Sequence, residues 1–128
     1  MRKKAREVCF KTIYKNLFLQ NDYSFEEIAS EENLTEEDLK FVETIVSLFQ
    51  ANKDEINKKI DSCLIAYTPD RVYSIDRAIL DVAVTEIVYF KETPIPVVIN
   101  EAVELAKTYS TEKSYSFVNG VLKKIVQV

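Results

Sequence analysis

Glycine occurs only once in the 128 residues of this chain, at Gly120, and proline occurs only three times. Tight turns between strands depend on these two residues, so a chain with so few of them is poorly suited to a strand-rich fold. Apolar residues instead recur at intervals of three and four along most of the sequence, which is the spacing of amphipathic helices. A hydrophobic fraction of 47% provides the material for a buried core. The sequence therefore predicts an all-α protein.

About seven helices are expected. The first extends from Arg2 to about residue 20, and its predicted core positions are Ala5, Val8, Cys9, Thr12, Ile13 and Leu17. The longest has apolar residues at Leu39, Val42, Val46, Phe49, Ile56, Ile60 and Cys63, interrupted by Lys53. We expect this helix to be kinked near "ANKD". A free-standing coiled coil has the same pattern, but the apolar remainder of the chain favours an internal helix of a bundle.

Other segments carry signals for helix starts and for burial. Ser24 with Glu27 has capping-box spacing, and Thr35 is a predicted N-cap followed by acidic residues. "SIDRAILDVAVTEIVYF" is apolar on nearly all sides, so this helix is expected in the middle of the bundle. The predicted core arc of the last helix consists of Phe117, Val118, Val121, Leu122, Ile125 and Val126.

The residues needed for common catalytic sites are missing from the sequence. It has no histidine, and one glycine cannot build a phosphate-binding loop. Cys9 and Cys63 have no metal-binding spacing and are expected to be buried apolar residues. Glu86, on the apolar helix, is either a general acid or, as we favour, a buried carboxylate bonded to a neighbouring helix. We therefore expect a binding protein and not an enzyme.

Positive and negative charges are segregated along the chain, whose formal net charge is −4. Residues 1–21 carry a net charge of +5, and residues 22–44 carry −8. Arg2, Lys3, Lys4 and Arg6 make the N-terminus a candidate contact for a polyanion, although an ordinary solvated surface gives the same composition. The basic start lacks the apolar run of a signal peptide, and no segment approaches the roughly 20 apolar residues of a membrane span. We expect a cytoplasmic protein that does not bind membranes.

The last third of the sequence contains the most specific motifs. "IPVVINEAVELAKTYSTEKSYSFVNGVLKKI" closely resembles the C-terminal signature of the NusB family of bacterial transcription antitermination factors. "SIDRAILDVAVTEI" is similar to the helix that precedes it in the family, and "RKKAREVCFKTIY" is similar to the family's arginine-rich opening. The resemblance covers essentially the whole chain and is weakest over residues 20–65.

The resemblance implies a single helical domain, residues 1–128, with two packed subdomains of helices at about 1–66 and about 67–128. Family members bind the boxA element of nascent ribosomal RNA together with NusE, a ribosomal protein, and join the elongating RNA polymerase. They use no cofactor and no metal. By this resemblance, the start of the last helix belongs to the RNA-binding face, with Phe117 beside the nucleotides and Lys113 as a candidate phosphate contact. Tyr14 and Asp76 match positions that face NusE.

Several alternatives stay open on the sequence alone. The chain is alternatively a helical adaptor that binds only proteins, or a NusB-like accessory domain of an RNA cytosine methyltransferase, although no glycine-rich cofactor loop follows before Val128. A homodimer of the free protein is a further alternative. Gly120 lies outside the predicted core arc, so it either packs tightly against a neighbouring segment or lets a nucleotide approach the helix.

Overall fold

The computed structural model describes residues 2–19, 22–64 and 68–127, which form α-helices and no strand. The six α-helices are α1 (Lys3–Lys15), α2 (Glu26–Ser30), α3 (Glu36–Ser62), α4 (Ser74–Thr85), α5 (Ile95–Tyr109) and α6 (Ser114–Gln127). A 3-10 turn, Pro69–Arg71, precedes α4, and a π-helical turn, Glu86–Phe90, extends it. The all-α prediction is confirmed, and the 3-10 turn accounts for the seventh expected segment.

Helix α4 occupies the middle of the bundle, as its apolar sequence predicted. Residues 78–86 are all buried, and α4 packs against α1, α3, α5 and α6. Buried apolar side chains from all six helices form one cluster, which includes Cys9 and Cys63 as expected. None of the helices among the described residues is long and apolar enough to cross a membrane.

Helix α3 is kinked where the sequence indicated. Asn52 leaves helical geometry with φ −121° and ψ 19°, and its side-chain amide donates to the Leu48 carbonyl at 2.9 Å. Such a bond competes with the backbone ladder and bends a helix. The helix begins at the predicted N-cap, since Thr35 Oγ1 accepts from the Asp38 amide at 3.1 Å.

Three local predictions were wrong. Leu17 is 43% exposed because α1 ends at Lys15 and the chain continues in tight turns that rotate Leu17 away from the core. Val126, near the end of α6, is 39% exposed. Ser24 does not cap α2, because its hydroxyl donates to Asp22 Oδ1 at 2.6 Å. The predicted helix end at residue 20 and the subdomain boundary near residue 66 lie outside the described residues.

Candidate nucleic-acid interface

A surface cleft of about 340 Å³ opens where the start of α6 meets the segment before α4. We call it the Phe117 cleft, and its lining includes Arg71, Tyr73, Asp76, Thr111, Lys113 and Phe117. Arg71 and Lys113 are exposed cations, Tyr73 is 61% exposed, and Phe117 is half-buried. Cations that attract phosphates and rings that stack on bases are the components of a site for single-stranded nucleic acid.

The buried carboxylate of Asp76 positions one side of this cleft through hydrogen bonds. Its two oxygens accept hydrogen bonds from Ser110 Oγ at 2.6 Å and Ser114 Oγ at 2.9 Å. Because Ser110 follows α5 and Ser114 begins α6, the carboxylate holds the loop that carries Lys113. Asp76 thus has an internal role in this chain, and its predicted contact with a protein partner stays a prediction.

Sequence reasoning missed two residues of the cleft. Arg71 and Tyr73 belong to "YTPDRVY", in which Thr68 and Pro69 indicated a break and a new helical turn but no binding role. A cation and an aromatic residue two positions apart are a weak signal by themselves. Their proximity to Phe117, more than 40 positions later, comes from the packing of α6 against α4.

Three of the four N-terminal basic residues, Arg2, Lys3 and Arg6, line a second cleft of about 330 Å³. Lys3 and Lys4 are exposed, and the Arg2 guanidinium carbon lies 4.6 Å from the centre of the Phe41 ring. Arg2 and Lys3 share the lining of this cleft with two acidic residues, Glu92 and Glu101. These carboxylates weaken the attraction of the cleft for phosphate.

Arg6, predicted as an RNA contact, points into the bundle instead. Its Nε and Nη2 donate to the two carboxylate oxygens of Glu86 at 2.8 and 2.7 Å, and the Glu86 side chain is completely buried. Burial alone would lower the Arg6 pKa, but hydrogen bonding and the charge of Glu86 outweigh it and raise that pKa. The guanidinium is therefore committed to an internal ion pair, and the interpretation of Glu86 as a bonded buried carboxylate is confirmed.

The two basic sites lie at opposite ends of α4. Asp76, in the first turn of α4, borders the Phe117 cleft, whereas Arg2 lies 5.4 Å from the ring centre of Phe90, at the end of its π-helical extension. Fourteen residues of helix separate them by about 20 Å. The structure therefore does not bring Lys3 and Lys4 together with Lys113 and Phe117.

An apolar patch follows Tyr14 at the end of α1. Leu17, Phe18 and Leu19 are 43%, 63% and 54% exposed, and the Phe18 ring lies edge-on to Tyr14 at 5.2 Å. Adjacent exposed apolar side chains of this kind mark surfaces that bind proteins. We call these four residues the α1 patch. Of these four residues, the resemblance indicated only Tyr14 as a partner contact.

Gly120 lies on the exposed face of α6. A Cβ atom at this position would meet no atom within 4 Å outside its own helical neighbourhood. The interpretation that Gly120 packs tightly against a neighbouring segment is therefore wrong. Gly120 and Phe117 border a small cleft of about 170 Å³, and close approach of a ligand there stays a prediction.

Fold and sites together define an all-helical binding protein, and comparison with known proteins gives its family. The NusB family matches residues 3–127. A transcription antitermination protein NusB of Finegoldia magna is 40% identical, and the match covers 98% of this chain and 93% of that protein. The chain therefore belongs to the NusB family.

Solved structures show the same fold. A structure of T. maritima NusB has a TM-score of 0.88 and 30% identity, with 99% of this chain and 91% of that chain covered. A structure described as the antitermination factors NusB and NusE in complex with dsRNA has a TM-score of 0.89 and 29% identity. It covers 98% of this chain and 96% of the other. The all-α NusB fold implied by the resemblance is confirmed over essentially the whole chain, and its division into two subdomains stays a prediction.

Proposed function

We propose that this chain acts in transcription antitermination by binding boxA RNA in the Phe117 cleft, jointly with NusE. The observation that carries the proposal is the cleft itself, in which two cations and two aromatic rings meet on a NusB fold. Support for a joint complex comes from a related structure, which is described as NusB and NusE in complex with dsRNA.

In the proposed complex, Arg71 and Lys113 contact phosphates, while Tyr73 and Phe117 stack on bases. Stacking contributes about 1–3 kcal/mol per base, and phosphate contacts supply most of the salt-dependent affinity. Arg2, whose guanidinium packs on the Phe41 ring, forms a second phosphate contact with Lys3 and Lys4 at the far end of α4.

NusE is proposed to cover the α1 patch, because burial of its exposed apolar side chains favours association. The net charge of −4 weakens RNA binding by this chain alone and suits a basic ribosomal partner that shares the RNA. The assembly is proposed to join the elongating RNA polymerase in the cytoplasm, without a cofactor or metal. A homodimer of the free chain is the alternative that would cover the same patch, and sedimentation with and without NusE separates the two.

Titration of labelled boxA RNA with and without NusE tests the proposal. We expect tighter binding with NusE, and we expect Phe117→Ala to lower the affinity by about 1–3 kcal/mol through loss of one stack. Urea melts of the same variant correct for any loss of folded protein. Val126→Ala, an exposed apolar change on the same helix, is the matched control.

The competing functions give different results. A protein-only adaptor would bind NusE but not boxA RNA in either condition. An accessory domain of an RNA cytosine methyltransferase would bind that enzyme and would gain no RNA affinity from NusE. Either result would overturn the proposed function.

A further inference from the structure

A groove of about 530 Å³ runs along the surface between α5 and α6, separate from the two basic clefts. Its lining includes Ile95, Asn100, Lys107, Tyr115, Asn119 and Lys123, and we call it the α5–α6 groove. Asn100 and Lys107 belong to the motif "INEAVELAK", and Asn119 belongs to "FVNGVL". The most specific motifs of the sequence thus place polar side chains on one surface that the sites above do not use.

The charge of the groove is positive. Two lysines, Lys107 and Lys123, line it, and none of its lining residues in the described part of the chain is acidic. The sequence from residue 113 onward carries three lysines and no acid, although the whole chain has a net charge of −4. Glu104 approaches Lys107 at 3.6 Å, but both side chains are about half exposed and such pairs are weak. The groove therefore favours a negatively charged occupant.

The shape and chemistry of the groove match unpaired nucleotides. Tyr115 is 44% exposed, and Lys107 Nζ lies 5.2 Å from the centre of its ring, so a ring and a phosphate-binding cation are adjacent. Ile95, 42% exposed, adds apolar surface at the other end. The amides of Asn100 and Asn119 both donate and accept hydrogen bonds, as base edges require. Stacking on an aromatic side chain needs a base that is free of a duplex, so these features favour a single strand.

The position of the groove connects the two separated basic sites. Ser116 lines the α5–α6 groove and also borders the small cleft that contains Phe117. At the opposite end, Ile95 lines the groove, and its chain neighbour Pro94, at the start of α5, lines the cleft of Arg2 and Lys3. A chain that left the Phe117 cleft along α6 would thus arrive at the N-terminal basic residues.

We propose that the α5–α6 groove binds a single-stranded segment of RNA that continues from the Phe117 cleft toward the N-terminus. This inference rests on the proposed function, because it extends the same RNA beyond boxA. Phosphate attraction and stacking supply most of the affinity, and the two asparagine amides can pair with any base edge because each donates and accepts hydrogen bonds, so the segment binds with little dependence on its base sequence.

Four RNAs test the proposal in the presence of NusE: boxA RNA, boxA RNA with an oligouridine tail on its 5′ end, boxA RNA with the same tail on its 3′ end, and boxA RNA with a duplex tail. The wild-type protein is expected to bind one of the single-stranded tailed RNAs more tightly than boxA RNA. Lys107→Gln with Lys123→Gln removes that gain and lowers the salt slope for the tailed RNA by about 0.7 per lost phosphate contact. Tyr115→Ala lowers affinity for the tailed RNA about fivefold or more, whereas Tyr115→Phe keeps the ring and the gain.

Lys40→Gln with Lys58→Gln is the matched control, since it removes the same charge from exposed positions of α3. Circular dichroism and urea melts confirm that each variant is folded. The groove proposal is overturned if the Lys107→Gln, Lys123→Gln variant still binds the single-stranded tailed RNA more tightly than boxA RNA by the wild-type factor. It is also overturned if only the duplex tail increases the affinity. If the same variant binds NusE more weakly but keeps the extra affinity for tailed RNA, the groove contacts a protein, and this result also overturns the groove proposal. Absence of boxA binding by the wild-type protein overturns the proposed function, which is a separate readout.

Discussion

Arg6 differs from its neighbours Lys3 and Lys4 because the bundle encloses it. The paired charges of Arg6 and Glu86 connect α1 to the end of α4 through two short hydrogen bonds. A buried pair of this kind contributes little compared with apolar residues of the same size, but it is costly to break from one side. The role of Arg6 is therefore stabilisation of the fold.

Arg6→Ala should lower the free energy of unfolding by about 3–5 kcal/mol, because it leaves the Glu86 carboxylate buried without a partner. Urea denaturation measures this loss. Replacing both residues with apolar ones, Arg6→Met with Glu86→Leu, should recover most of it. RNA affinity of the folded Arg6→Ala fraction should equal that of the wild type. Wild-type stability together with weakened RNA binding would return Arg6 to the RNA interface.

Among the elements, the end of α1 presents the apolar surface that we propose as the NusE contact. The helix stops at Lys15, and the following turns place Leu17, Phe18 and Leu19 on the surface beside Tyr14. A helix extended to residue 20 would have turned Leu17 into the core. Because α1 ends at Lys15, Leu17 is exposed instead of buried, and together with Phe18 and Leu19 it forms a candidate contact surface.

Phe18→Ser should weaken NusE binding by about 1.5–3 kcal/mol if the ring is fully buried in the complex. Isothermal titration of NusE into the protein measures the affinity. Little stability should be lost, since the side chain is 63% exposed in the free protein. Val126→Ser makes an equivalent change at the far end of α6 and should leave NusE binding intact. Equal effects of the two substitutions would contradict the assignment of the α1 patch.

In the molecule as a whole, one apolar cluster encloses several ionisable groups, and the buried carboxylate of Asp81 is less well paired than those of Asp76 and Glu86. Asp81 Oδ1 has no hydrogen-bond partner among the described residues, and Arg77 Nε is 3.8 Å away. Arg77 instead donates to Asp61 at 2.6 Å and to Asn57. Burial raises the pKa of Asp81 to about 7, although the charges of Arg77 and Lys53 oppose the shift.

This pKa predicts how stability depends on pH. An unfolded aspartate has a pKa of about 3.9, so between about pH 4 and 7 the native state holds a proton that the unfolded chain has released. Stability contributed by this group should fall as the pH rises through that interval and level off above it. Asp81→Asn cannot ionise, so the variant should be more stable than the wild type at pH 8, by up to about 4 kcal/mol.

Urea melts of wild type and Asp81→Asn across this pH range measure the difference. Asp54→Asn, which removes an exposed carboxylate from α3, controls for the change in net charge. Parallel stability curves for wild type and Asp81→Asn would show that Asp81 is ionised in the native protein at neutral pH.

The sequence by itself determined the features that depend on neighbours three or four positions apart. The helical class, the Thr35 cap, the kink near Asn52 and the burial of α4 all follow from local spacing and side-chain chemistry, which act within one or two turns. The motifs near the C-terminus also identified the family, because they span two helices with a fixed separation.

Only the tertiary structure decided which distant residues share a surface. The pairing of Arg6 with Glu86 joins positions 80 residues apart, and the meeting of Arg71 and Tyr73 with Phe117 requires α6 to pack on α4. Charge and residue type do not encode whether a side chain points inward, because that depends on where its helix ends and what packs against it. For this reason the basic N-terminus and Phe117, both expected to contact RNA, lie at opposite ends of α4.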